Sequence, residues 1–185
     1  MPQGNCPTLQ NYIAGEQCEE NFAGMGSVVY AFERNKVPAS AISMSGNTFT
    51  LTPPTGFKLY KFECKEEKQN LKGSSQGPRQ GFVITGTFVL EAVDKATSLI
   101  ARGLNNLDLC YIFPESDTDA QILYDPVRKV RIDSEGLTTD TGTAAADERI
   151  TTASMKLGPV KYPNLYVNTP SGGWDQYVEL SATSE

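Results

Sequence analysis

The stretch Gly73-Ser-Ser-Gln-Gly-Pro-Arg-Gln-Gly-Phe82 combines three glycines, two hydroxyls and an arginine. Those are the ingredients of a phosphate cradle, in which backbone N–H groups and a cation meet an anion. A Walker-type loop, however, needs Gly-x-x-x-x-Gly-Lys-Ser/Thr between a strand and a helix. Here the glycine spacing is one residue short, and Pro78 stands where the lysine belongs. The segment also runs into a period-two pattern, so the positive helix N-terminus that binds anions is missing. The remaining reading is an arm that becomes ordered when it meets another molecule.

The carboxylates offer a second possible chemistry. Glu115-Ser-Asp-Thr-Asp-Ala120 spaces acids by two, like the start of a calcium loop. Such a loop needs glycine at its sixth position and glutamate at its twelfth. This chain has Ala120 and Pro126 there, so a solvated hairpin entrance is expected. Asp147 and Glu148 are adjacent, and neighbours on a strand point to opposite faces. With no histidine and no Gly-x-Ser-x-Gly elbow, the usual activation of a serine or cysteine fails. Two distant carboxylates acting on a glycoside remain a formal alternative. Trp174, in Ser-Gly-Gly-Trp-Asp, reads as a cap on the core edge in preference to a sugar anchor. Cys6, Cys18, Cys64 and Cys110 form no Cys-x-x-Cys pair, so reduced packing cysteines are expected, with no metal and no cofactor.

The elements that would position these residues are mostly strands. Ser27 to Glu33, Asn47 to Thr52 and Phe57 to Lys65 are rich in β-formers and alternate. In the last of these, Tyr60, Phe62 and Cys64 share one face, and Lys61, Glu63 and Lys65 share the wet one. The charged, glycine-rich stretch from Glu66 to Gln80 reads as a loop, and Gly81 to Glu91 resumes a period of two, with Gly86 marking a bend. Asp94 then caps a helix over about 94–106 whose stripe is Ala96, Leu99, Ile100, Gly103 and Leu104. Leu107 to Phe113 follows as a buried strand. Short strands are expected at Gln121 to Tyr124 and Arg128 to Asp133. A polar loop runs from Asp133 to Asp147, and late strands lie near 149–157, 164–167 and 176–180. About nine short strands and one helix make a single domain over 1–185. It has an extended arm (1–26), a β-sandwich core (27–180) and a hairpin arm (66–81). The fold class is mostly β: an antiparallel sandwich or barrel with one packed α-helix.

Composition narrows the function classes. The chain has 185 residues and a formal net charge of −6, which sets it apart from proteins that grip nucleic acid through a basic face. Apolar runs such as Val28 to Phe32 are far too short to span a bilayer. The first residues show no basic region followed by an apolar run. Folding in a reducing cytoplasm, without membrane contact, is the expectation.

The order of elements is distinctive: a strand, a long arm at 66–80, a strand running straight into Asp94-Lys-Ala-Thr-Ser-Leu-Ile-Ala-Arg-Gly-Leu104, and then Leu-Asp-Leu-Cys-Tyr-Ile-Phe. It resembles the tail tube proteins of long-tailed bacteriophages and their relatives in contractile injection systems, over roughly residues 25 to 180. The resemblance rests on architecture, size and acidity, not on a fixed motif.

What the resemblance implies is a structural virion protein, not an enzyme, located in the tail and assembled in the host bacterial cytoplasm. Six copies would form a ring, with sheets joining into a β-lined lumen, and rings would stack into a tube. Its partners would be other copies of the chain, the tape-measure protein and tail-completion proteins. DNA would pass through an acidic lumen without specific binding, since like charge repels phosphate and a basic wall would hold it. Lys68, Lys72, Gln76, Arg79 and Gln80 are the expected assembly residues. A minor virion or cell-surface β-sandwich that binds protein or glycan is the main alternative, and a carboxylate-based enzyme a weaker one.

Overall fold

The computed structural model describes residues 25–116, 118–144 and 147–178. Most of the expected N-terminal arm (1–26), with Cys6 and Cys18, lies outside the described residues, as do 179 and 180 of the last expected strand. The strands are β1 (Val28–Glu33), β2 (Ile42–Ser45), β3 (Thr48–Leu51), β4 (Tyr60–Glu63), β5 (Asn70–Ser75) and β6 (Phe82–Leu90). After helix α1 (Lys95–Asn106) come β7 (Leu109–Pro114), β8 (Asp119–Leu123), β9 (Arg131–Asp140), β10 (Ile150–Val160) and β11 (Tyr166–Asn168). They make two sheets, a seven-stranded one in the order β2-β3-β11-β8-β7-β1-β4 and a four-stranded one in the order β5-β6-β10-β9. All pairings are antiparallel except β11 with β3.

The sheets pack face to face through aromatic side chains. Tyr111 of β7 pairs with Ala31 of β1 and points toward the smaller sheet, where it meets Phe88 at 6.2 Å between ring centroids. Phe62 of β4 stacks on the same Phe88 at 5.6 Å. Phe88 is fully buried, and burial of such a ring stabilises by about 1.5–3 kcal/mol. Successive residues point to opposite faces, so Phe32 and Cys110 face the far side of the larger sheet. That side is covered as well: Phe57 sits edge-on between Phe32 and Tyr177, and Phe49 packs against Tyr124. Strands β1 and β7 are therefore buried on both faces, and their near-continuous apolar runs follow from that. Trp174 is buried in this cluster, in line with the core-edge reading.

Helix α1 begins with reciprocal capping: the Asp94 carboxylate accepts from Thr97 N at 2.8 Å, and Thr97 Oγ1 accepts from Asp94 N at 2.9 Å. Its buried face is Thr97, Ile100 and Leu104, spaced three and four apart. Leu99 was expected on that face and is instead 69% exposed, because it lies about a quarter-turn round the helix from Ile100.

Three further expectations are corrected. The stretch read as a loop from Glu66 to Gln80 contains β5, which pairs along its whole length with β6, from Asn70↔Thr87 to Ser75↔Phe82. Leu71 is opposite Gly86 and turns into the core, while a side chain at Gly73 would collide with the Pro163 carbonyl. The glycine there serves close approach, not mobility. The polar loop expected from Asp133 is a strand as far as Asp140, with an irregularity between the pairs Met155↔Ile132 and Ala153↔Leu137. The strand expected near 176–180 is, within the described residues, a 3-10 turn at Asp175–Tyr177 followed by a parallel bridge from Val178 to Leu59.

Candidate functional site

The four-stranded sheet positions the residues expected to act in assembly. Its outer strands, β5 and β9, each pair on one side only among the described residues. An unpaired strand edge presents a row of backbone donors and acceptors that another strand can complete.

Lys72 lies on β5 opposite Thr85, and Lys68 is exposed in the turn that leads into it. Gln76, Arg79 and Gln80 are exposed at the hairpin tip. There Gln76 N donates to Gly81 O at 3.0 Å, Gln80 N donates to Gly77 O at 3.2 Å, and Gly77 N donates to Ser75 Oγ at 3.2 Å. These amides are what a phosphate cradle would need, and the turn already uses them. Arg79 sits in the left-handed region at φ 64°, a conformation in which a non-glycine residue is strained. The five residues thus share one hairpin, with Lys68 just before its first strand, Lys72 on that strand and the other three at its tip.

The opposite edge was not anticipated. Strand β9 carries Asp133, Glu135 and Asp140, with Arg131 at its start. Strand β5 has Lys72 and no carboxylate. The two open edges of one sheet therefore differ in charge. The acids of β9 were visible in the sequence, but its inward positions, Ile132 and Leu137, are separated by the irregularity, which hid the period of two.

The outer face of this sheet follows from the register. Thr85 and Thr87 of β6 stand beside Thr152 and Ser154 of β10, and Thr87 Oγ1 donates to Ser154 Oγ at 3.2 Å. Charge on this face is sparse: Lys72, Arg131 and Lys156 against Asp140, with Asp133 2.6 Å from Lys156. Lysine contact holds the Asp133 carboxyl below the usual range, first through its hydrogen bond with Lys156.

Several other titratable groups are engaged in structural contacts. Asp147 accepts from Thr143 N and Ala144 N at 2.7 Å each, which lowers its pKa. Glu148 is lowered by its hydrogen bond from Lys65. Both shifts favour the fixed carboxylate over a proton donor. Burial pushes the Cys64 thiol up to about 11 and the Cys110 thiol up to about 12, so both stay protonated and unreactive near neutrality. Neither is bridged.

No protein-family model, no curated protein and no solved structure matches the chain.

Proposed function

We propose that this chain is a self-assembling structural subunit of a phage tail tube, in which the four-stranded sheets of neighbouring copies join edge to edge around a ring. The observation that carries this reading is the pair of open edges, β5 and β9, on one sheet with unlike charge. A contact between two different edges is heterologous, and it closes into a ring when the rotation per copy permits. Strand addition supplies backbone hydrogen bonds, and the charges on Lys72, Asp133 and Glu135 favour the β5–β9 pairing over like pairings.

On this reading the hydroxyl-rich outer face of the sheet lines the channel. That wall is near charge balance, in contrast to the acidic lumen that the resemblance implies. Threonine and serine hydroxyls keep the wall hydrated, and the few cations are partly offset by Asp133 and Asp140, so phosphate gains little by stopping. Tape-measure protein and DNA are the proposed contents, and the tail of the virion is the proposed location.

Sedimentation and negative-stain electron microscopy of the purified protein over a concentration series test the proposal. Rings or tubes are the expected result. A monomer at every concentration would overturn it and favour a lone β-sandwich that binds protein or glycan.

A further inference from the structure

The four-stranded sheet has a second asymmetry, along its strands. One end gathers the hairpin tip, the end of β10 and the start of β9, because Ser75, Phe82 and Val160 are aligned there and Lys156 pairs with Arg131. Two adjoining clefts mark this end. One, of about 490 Å³, is lined by Arg79, Arg128 and Lys161. The other, of about 660 Å³, is lined by Arg128, Lys129, Arg131 and Lys156 with Asp133, which pairs with Lys156, while Lys129 lies 2.6 Å from Asp108. Arg128 belongs to both.

The opposite end gathers the start of β5, the end of β6 and the start of β10, since Thr87 aligns with Asn70 and Leu90 with Thr151. A cleft of about 840 Å³ there is lined by Glu63, Glu66 and Glu91 with Lys61 and Lys65. Lys65 is drawn to Glu148, on which Lys68 also acts, and lies 3.8 Å from Glu91, while Lys61 lies 3.1 Å from Asp175, so acids outnumber cations at this end. Glu67, Asp140 and Asp147 are exposed at the same end.

Strand β6 has nine residues and spans about 30 Å between the two ends. Screening at physiological salt acts over about 8 Å, so the opposite charges do little for each other within one chain. They are placed to act between chains. We infer that the basic end, centred on Arg128, is a docking surface for the acidic end of a second copy of this chain, centred on Glu66 and Glu91. The contact is head to tail along the strands, and it repeats without closing, as a stack does. It rests on the ring reading above, but Arg128, Lys161, Glu66 and Glu91 lie outside β5 and β9, so the two contacts fail separately.

Two variants test it. R128E/K161E makes both ends acidic, and E66K/E91K makes both ends basic. All four side chains are exposed, so the fold should persist by circular dichroism. Each variant alone should form rings and lose stacks under electron microscopy. An equal mixture should restore stacks, and raised salt should shorten them. Wild-type stacking by either variant alone, or a folded mixture that forms rings without stacks, would overturn the inference. Wild-type protein that forms no rings would overturn the ring reading and this one together.

Discussion

Tyr30 Oη donates to Asp175 Oδ1 at 2.9 Å, joining residues 145 apart in sequence. Lys61 Nζ approaches the same oxygen at 3.1 Å. One carboxylate thus fastens the last described turn to two neighbouring strands of the larger sheet. The hydrogen bond from Tyr30, followed by that from Lys61, lowers the Asp175 pKa. A folded-state pKa below the unfolded value stabilises above the unfolded value, and the gain is lost as pH falls through the folded one. Asp175→Asn should therefore cost about 1 kcal/mol or less at neutral pH, since the side chain is 63% exposed and screened. The gap between the thermal melts should begin to close near the ordinary aspartate value of about 4 and vanish only once the pH has fallen through the lowered folded-state pKa, where the wild-type carboxylate also becomes neutral. A difference that stays constant down to pH 2 would show that Asp175 acts through shape and not charge.

The helix offers a paired substitution. Leu104 is 3% exposed and Leu99 is 69% exposed. Leu104→Ala should cost about 2–5 kcal/mol in a denaturant titration, through lost burial and the cavity left behind. Leu99→Ala should stay within about 0.5 kcal/mol of wild type. Equal costs would place a second apolar contact on Leu99.

Gly86 lies on β6 against Leu123 of the facing sheet. A Cβ there would lie 2.8 Å from Leu123 Cδ1, 3.1 Å from Leu71 Cδ2 and 3.2 Å from Met155 Sδ. Gly86→Ala should therefore destabilise by about 1–3 kcal/mol through overpacking, despite the usual benefit of removing a strand glycine. An unchanged midpoint would mean that the Leu71 side chain simply swings aside. The sequence suggested a bend at this position, whereas the glycine makes room for the facing sheet.

Elements that bury apolar side chains were legible from the sequence. Strands β6 and β7 and the capped helix carry their periods openly, because packing selected each inward residue. Strands β5 and β9 were not. Leu71 is the one large apolar side chain that β5 turns inward, and its neighbour Gly73 leaves room for Pro163. Backbone pairing to β6 holds that strand, and backbone pairing leaves little mark on residue type. In β9 the irregularity between Ile132 and Leu137 shifts the alternation, so a polar strand read as a polar loop. The expected assembly residues lie on one hairpin, but the acidic edge of β9 and the basic end around Arg128 depend on register, which only the fold supplies.

Arg79 gives a test of strain at the hairpin tip. Its left-handed backbone costs a non-glycine residue about 1–2 kcal/mol. Arg79→Gly removes that strain, less the entropy that glycine adds to the unfolded chain. The melting temperature should be equal to or above wild type while stacking weakens. A lower melting temperature would show that the arginine side chain supports the turn.

On the proposed assembly, the hairpin separates two roles that a single mobile arm would merge. Ser75 and Phe82 are opposite each other, so the connection over residues 76–81 can be replaced by Asn-Gly, a two-residue turn matched to antiparallel strands. A shorter loop costs less entropy to close, so the monomer should melt at or above the wild-type temperature. The substitution leaves β5 and Lys72 in place but removes Arg79 from the basic end. Rings should therefore form, and stacks should be short. Lys72→Glu does the reverse. It leaves the tip intact and sets a carboxylate on β5 against the Asp133 and Glu135 of an adjoining β9, where like charge opposes pairing. Rings should then be lost, with the melting temperature of the monomer nearly unchanged because Lys72 is exposed. Electron microscopy and melting curves on both variants decide the matter. Loss of rings in the shortened hairpin with normal rings in Lys72→Glu would move the lateral contact from the strand edge to the tip.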